Sequence, residues 1–543
     1  MHPFSAAARK STLDALDGGS CDLLVIGGGI TGAGVARDAA MRGMRVALVE
    51  RNDFASGTSS RSSRLVHGGL RYLEHGQMHL VYEASRERRI LLHIAPHLVR
   101  PRRFLWPVFD NARVHPWKLR AGFLLYDALA LFRNIANHCT LSARRVTELE
   151  PALRRSGLSG GVGYFDATTD DIRLTLANAR AAAEAGALVV NHLAVRELLV
   201  EDGVVRGARA QDALTGRCLT ITASVVVNAA GPWSDSIRRL ADPDAAPSVR
   251  GTKGVHVAVP HGRIGNQGAV TLLSPIDGRV LFILPAAGKM TVIGTTDTDY
   301  IGSPDDVRPT PDDVTYLLRT ANSYFPDAHL TPADVVSAWA GIRPLVSNGD
   351  GEPDSVSREH ALAWTAPGLL SVSGGKLTTY RAMAQEVVGE VARSLGQSWR
   401  PARTDRVPLP GGHMTSYSAE LESARAHIGA EWIAENLVSS HGTEWRDIWS
   451  LVESDNALAA RVTPELPYIV AELHWAVERE MALTLSDILI RRLHVAFEMH
   501  DHGASAAPAV ARVIAPLLCW NSAQIDTELA KYGREVAAIF GRE

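Results

Sequence analysis

Three glycines, one acid and a run of hydroxyls carry the first chemical statement in this chain. Gly27, Gly29 and Gly32 stand at the spacing of a dinucleotide-binding turn. The first allows a tight turn, the second lets backbone approach a pyrophosphate, and the third lets helix and strand pack closely. Ile30 and Thr31 fall where the free N–H groups of a helix start would meet phosphate. Glu50 follows at the end of an apolar run, placed to accept from a ribose hydroxyl. Read alone, this unit suits NAD or FAD. After Glu50 and Arg51 come Thr58, Ser59 and Ser63, then Arg64, Leu65, His67, Arg71 and Tyr72, a mixture a flexible linker would not carry. Two further cations stand at turns, Arg343 before Pro344 and Lys376 after Gly375. Cations drawn from separate loops suit a small anionic substrate, and the guanidinium fork matches phosphate. His67 is a candidate base because its free pKa lies near the operating pH. It serves equally as a hydrogen bonder to the cofactor loop, and Arg343 as a stabiliser of a developing alkoxide.

These residues need elements to hold them. Leu23–Ile26 reads as a buried strand, the Ala-rich run to Met41 as a helix stopped by Gly43, and Arg45–Glu50 as a second strand. That is one βαβ unit. Ser224–Ser234 reads as a strand entering a small-residue turn at Ala229, Ala230 and Gly231, and Leu369–Tyr380 as a strand, a Gly-Gly turn and a helix start. Between them, residues 251–300 alternate as antiparallel strands with a hairpin at Ala286–Lys289. Pro311–Tyr324 reads as a helix and Asp334–Arg343 as a strand. Beyond a polar break near residue 400 the chain is helical: Ser418–Ile428, Glu431–Ser439, Leu466–Met481, Leu485–Glu498, Ala507–Trp520 and Ser522–Phe540. The expected fold is α/β. A Rossmann-like cofactor domain (21–400) carries an inserted antiparallel-sheet substrate domain (about 96–160 and 251–340). An all-α C-terminal domain follows (401–543), and residues 1–20 read as a dispensable tail.

Composition bounds the rest. At 543 residues the chain holds two or three domains, and a net charge of −3 gives no global field for nucleic acid. Cys21, Cys139, Cys218 and Cys519 are scattered, with no metal-binding spacing and no disulfide framework. A reducing cytoplasm fits, and residues 1–20 lack the apolar core of a signal peptide. Residues 100–133 interleave Arg and Lys with Phe104, Trp106, Trp117 and Phe123. Such a segment is either a core with a charged rim or a seat on an anionic membrane surface.

The stretch GTSSRSSRLVHGGLRYLE resembles a signature of the FAD-dependent, respiratory, quinone-linked glycerol-3-phosphate dehydrogenases. VIGGGITGAGVARDAAMRG resembles their first signature, and GTTD at Gly294–Asp297 and G-I-R-P-L at Gly341–Leu345 follow in the family's order. The resemblance implies the D-amino-acid-oxidase/glutathione-reductase type of cofactor domain and FAD as cofactor. It implies sn-glycerol 3-phosphate as substrate and hydride transfer to the flavin N5. A quinone would be the acceptor, with peripheral seating on the cytoplasmic face of the membrane and room for a homodimer. It places Arg358 with Arg71, Tyr72, Arg343 and Lys376 around substrate. It puts Val195 at the adenine, Ala230 and Gly231 under the phosphates, and Gly375, Lys376 and Leu377 at the flavin's pyrimidine edge. Arg64 stands where the family commonly has Lys. An oxygen-using glycerol-3-phosphate oxidase and a non-catalytic FAD-binding sensor are the alternatives.

Overall fold

The structure, a computed structural model, describes residues 2–69, 77–110, 116–129, 135–286, 288–346 and 360–541. In chain order its strands are β1 (Ser20–Ile26), β2 (Val46–Val49), β3 (Leu65–Val66), β4 (Val99–Phe109), β5 (Cys139–Ser142), β6 (Leu158–Thr169), β7 (Leu188–Val190), β8 (Leu193–Glu201) and β9 (Val204–Asp212). There follow β10 (Cys218–Asn228), β11 (Val249–Pro260), β12 (Ala269–Leu273), β13 (Val280–Ala286), β14 (Met290–Gly294), β15 (Thr298–Tyr300), β16 (Ser337–Val346), β17 (His360–Ala366) and β18 (Leu369–Gly374).

One sheet runs β17-β18-β10-β1-β2-β7, and its members from β18 to β7 are parallel. A parallel sheet is covered on both faces, so its strands read as continuous apolar runs rather than alternations. Leu23 and Val25 turn towards the helices Ile30–Arg42, Asp171–Glu184 and Tyr380–Ser394. Leu24 and Ile26 turn the other way, into a cluster shared with the β8–β9 hairpin. The second sheet runs β15-β11-β14-β13-β12-β4-β6-β3, with β16 on β11 and β5 on β6. Its pairings are antiparallel except β4 with β12. It draws β3 straight from the hydroxyl-rich loop, so one loop joins the two sheets.

Residues 2–20, expected as a tail, fold against the body of the protein. Ala6–Leu16 is a helix whose Ser5 accepts from the Ala8 N–H. Phe4 is fully buried with its ring 5.3 Å from that of Phe54. Arg9 is buried and paired with Asp212 at 2.6 Å. The helical C-terminal part shares its core with the cofactor domain: Val25, Val387, Leu473, Leu485 and Phe497 belong to one cluster. The expected Leu485–Glu498 helix divides into a π-helical turn, Asp487–Arg492, and a short helix, Val495–Glu498. A further helix, Trp445–Ser454, was not expected.

Candidate active site

The cradle is built from backbone. Gly27 has φ +112, and a side chain there would press on the Ala229 carbonyl; one at Gly32 would press on Gly27. Gly32 therefore fits the turn together and stays out of the cavity wall. The helix Ile30–Arg42 starts at Gly29 without a side-chain cap, leaving its positive end towards the cavity. The Ile30 N–H donates to the Ser59 hydroxyl at 2.9 Å. The Glu50 carboxylate accepts from the N–H groups of Gly28 (2.7 Å) and Asn52 (2.9 Å), while burial pushes its pKa up.

From this turn a cavity of about 1160 Å³ runs between the sheets. Its walls bring together Gly27, Gly29, Ile30, Thr31, Glu50, Arg51, Thr58, Ser59, Ser63, Leu65 and His67. Val195, Ala230, Gly231, Arg343, Gly375, Lys376 and Leu377 join them from later in the chain. Some of these side chains are already engaged. Thr58 donates to the Ile342 carbonyl (2.6 Å), and Ser63 bonds His256 (2.9 Å). Arg51 pairs with Asp305 and lies 4.3 Å over the Trp233 ring. The cradle fits FAD: a pyrophosphate turn with an acid at one end is continuous with a cavity long enough to reach Lys376.

Arg64 departs from expectation. Its backbone is left-handed (φ 54), and its guanidinium is not part of the cavity wall. It lies 5.2 Å over the Phe497 ring and 3.7 Å from Asp171. The reversed backbone throws the side chain under the site, towards the C-terminal helices. Arg71, Tyr72 and Arg358 lie outside the described residues.

At the far end Arg343 is held on two sides. Its Nη1 meets Asp297 at 2.9 Å, and its Nη2 meets the Thr295 hydroxyl (3.0 Å) and the Thr296 carbonyl (3.1 Å). A side chain at Gly254 would press on this guanidinium, so Arg343 can lie where it does because residue 254 is glycine. Two residues on, His256 faces the same cavity and stacks on Trp339 (5.6 Å, 12°). Burial pulls its pKa down to about 3, and Arg343 and Arg64 add to that, so it is neutral. Sequence reasoning missed His256; its signal was the Gly254-x-His256 alternation, which puts both on one face of β11. The His67 N–H donates to the Thr378 hydroxyl (3.2 Å), seating His67 against the Lys376 turn.

Asp53, His192 and Asp487 converge with ligand atoms within 4.8 Å, but Arg491 and Arg492 already engage Asp53. This is a charge network tying the cofactor loop to the C-terminal helices.

A family model described as FAD dependent oxidoreductase matches residues 22–381. One described as the C-terminal domain of alpha-glycerophosphate oxidase matches residues 402–525. The glycerol-3-phosphate dehydrogenase of Synechocystis sp. is 38% identical over 94% of this chain and 95% of its own length. The aerobic glycerol-3-phosphate dehydrogenase of Bacillus subtilis is 36% identical over 90% of each. The structure of glycerol-3-phosphate dehydrogenase from Bacillus halodurans complexed with FAD matches with a TM-score of 0.81 at 33% identity, covering 99% of this chain and 98% of that one. With that fold, that cradle and those relatives, the chain belongs to the FAD-dependent oxidoreductases, in the glycerol-3-phosphate dehydrogenase family.

Proposed function

We propose that the protein oxidises sn-glycerol 3-phosphate at C2 to dihydroxyacetone phosphate, with a quinone as final electron acceptor. The observation that carries this reading is that Arg343 and Lys376, two cations from separate parts of the chain, line the same cavity as the Gly27–Gly29 turn and Glu50. Bound FAD supplies the hydride acceptor. The cavity residues named above would hold it, with Lys376 and the following helix start favouring negative charge at one edge. Arg71, Tyr72 and Arg358 complete the substrate ring in this reading.

Loss of hydride from C2 must be matched by loss of a proton from its oxygen. His256 stands beside Arg343 and is neutral, so it can take that proton. His67, against the Lys376 turn, orients the cofactor. Phe104, Trp106, Tyr164 and Phe282 line the cavity with apolar surface that excludes water.

The apolar wall reaches the helix Pro116–Leu129, where Leu124 is 57% and Leu125 38% exposed. That surface supports peripheral contact with a membrane and access for a lipid-soluble acceptor. No helix among the described residues is long and apolar enough to cross a membrane. The test is an anaerobic spectrum: glycerol 3-phosphate added to the purified protein should bleach the flavin, and an unchanged spectrum rejects the reading. The C-terminal match to an oxidase favours oxygen as the second reading. Hydrogen peroxide formed in step with substrate would establish it in place of the quinone.

A further inference from the structure

In the proposed reading the cavity around Arg343 faces an anionic substrate, and its wall also contains a carboxylate. Asp297, from the turn between β14 and β15, has a side chain only 7% exposed and holds the Nη1 edge of Arg343 at 2.9 Å. The turn itself is firmly placed. Thr296 accepts from the Val255 N–H through its hydroxyl (3.0 Å), and Arg279 donates to the Asp297 carbonyl. Thr295 and Thr296 hold the Nη2 edge. The guanidinium is therefore fixed in direction by three consecutive residues, and one of them carries the charge sign of the substrate.

A negative charge here weakens attraction for any anion, so a site evolved for tight phosphate capture alone would not keep it. It does have a use if Arg343 is to face the reacting oxygen rather than the phosphate. We propose that Asp297 is a positioning residue that determines how the substrate lies. Its carboxylate turns the phosphate away from Arg343 and keeps the guanidinium aimed at the C2 oxygen, where negative charge develops as the proton leaves. Thr295 fixes the aim without contributing charge. This rests on the reading of the substrate as glycerol 3-phosphate.

Two variants of the holoenzyme separate charge from aim. In Asp297→Asn the shape is kept and the charge lost. Inorganic phosphate, followed by its perturbation of the flavin spectrum, should then bind several-fold more tightly, while kcat for glycerol 3-phosphate falls about tenfold or more and FAD content is unchanged. A merely structural role predicts weaker phosphate binding, and that result, or an unchanged kcat, overturns the proposal. In Thr295→Val kcat should fall with phosphate affinity unchanged; full activity in this variant also overturns it. Failure of the wild type to be bleached by glycerol 3-phosphate would remove the substrate reading. The phosphate titration of Asp297→Asn would still report on the charge.

Discussion

Asp53 and Arg492 stand 439 residues apart and meet in a buried pair. Arg492 Nη1 and Nη2 reach the Asp53 carboxylate at 2.5 and 3.0 Å, and Arg491 Nε reaches it at 2.7 Å. Asp53 lies on the loop that also carries Glu50 and Phe54, so the C-terminal helices brace the loop that presents the Glu50 carboxylate.

Stranding a buried charge costs about 3–5 kcal/mol; Arg491 stays on Asp53 when Arg492 is removed, so losing Arg492 alone costs less than that. Arg492→Ala should lower the unfolding temperature and lose flavin in the same transition. Thermal unfolding followed by flavin release and by intrinsic fluorescence checks this. Two separated transitions would show that the pair does not support the cofactor loop.

Gly254→Ala places a methyl group against the Arg343 guanidinium. The backbone of β11 is held by β14 and β16 on either side, so the arginine must move. A displacement of roughly 1 Å can cost about 100-fold in turnover. We expect that loss with the flavin spectrum intact; steady-state kinetics on the flavin-loaded variant decides it.

Gly29→Val should give a folded but colourless protein. A Cβ at Gly29 meets only the Ser59 hydroxyl, at 3.2 Å, so the chain tolerates it. The added methyls enter the space the pyrophosphate crosses. Circular dichroism and the flavin-to-protein absorbance ratio test both halves, and a fully flavinated variant would refute the assignment of this turn.

His256→Asn should slow flavin reduction by glycerol 3-phosphate about 100-fold or more with FAD still bound. His67→Asn should weaken flavin binding while leaving measurable reduction. Stopped-flow reduction distinguishes them, and the reverse pattern would transfer the proton to His67.

Two buried acids should leave opposite marks on stability. Burial would raise the pKa of Glu480, but Arg173 and His441 outweigh it and hold it at about 2. A depressed folded value stabilises at higher pH, so this contribution is present above about pH 4.5 and is lost as pH falls towards 2. Burial pushes Glu498 up to about 7. Its contribution is present below about pH 4.5 and is lost as pH rises towards 7. Denaturant titrations at several pH values should show Glu498→Gln flattening the curve between about pH 5 and 7, and Glu480→Gln flattening it on the acid side.

Much of the fold was legible because its signals are local. The turn at Gly27–Gly32 announces itself in a few residues, and the start of Pro311–Tyr324 is marked on the spot by the Thr310–Asp313 capping box with Pro311 at the first helical position. The features that escaped depend on partners far along the chain. Arg9 carries no signal among its own neighbours, because its partner Asp212 lies 203 residues on. Arg64 looks like a cofactor ligand until its left-handed backbone sends it towards Phe497. His256 gains its meaning from Arg343 and Trp339, both on a strand that follows much later. The break near residue 400 is visible in composition, yet the apolar faces on either side of it close into one core, which only packing reveals.

The first helix has one further consequence. Phe4 lies in the same cluster as Leu473 and Ala476, so residues more than four hundred positions apart close one core. The turn at Gly27–Gly32 is local, but the core behind its helix closes only when the C-terminal helices dock, so the cradle and the far end of the chain are expected to form together.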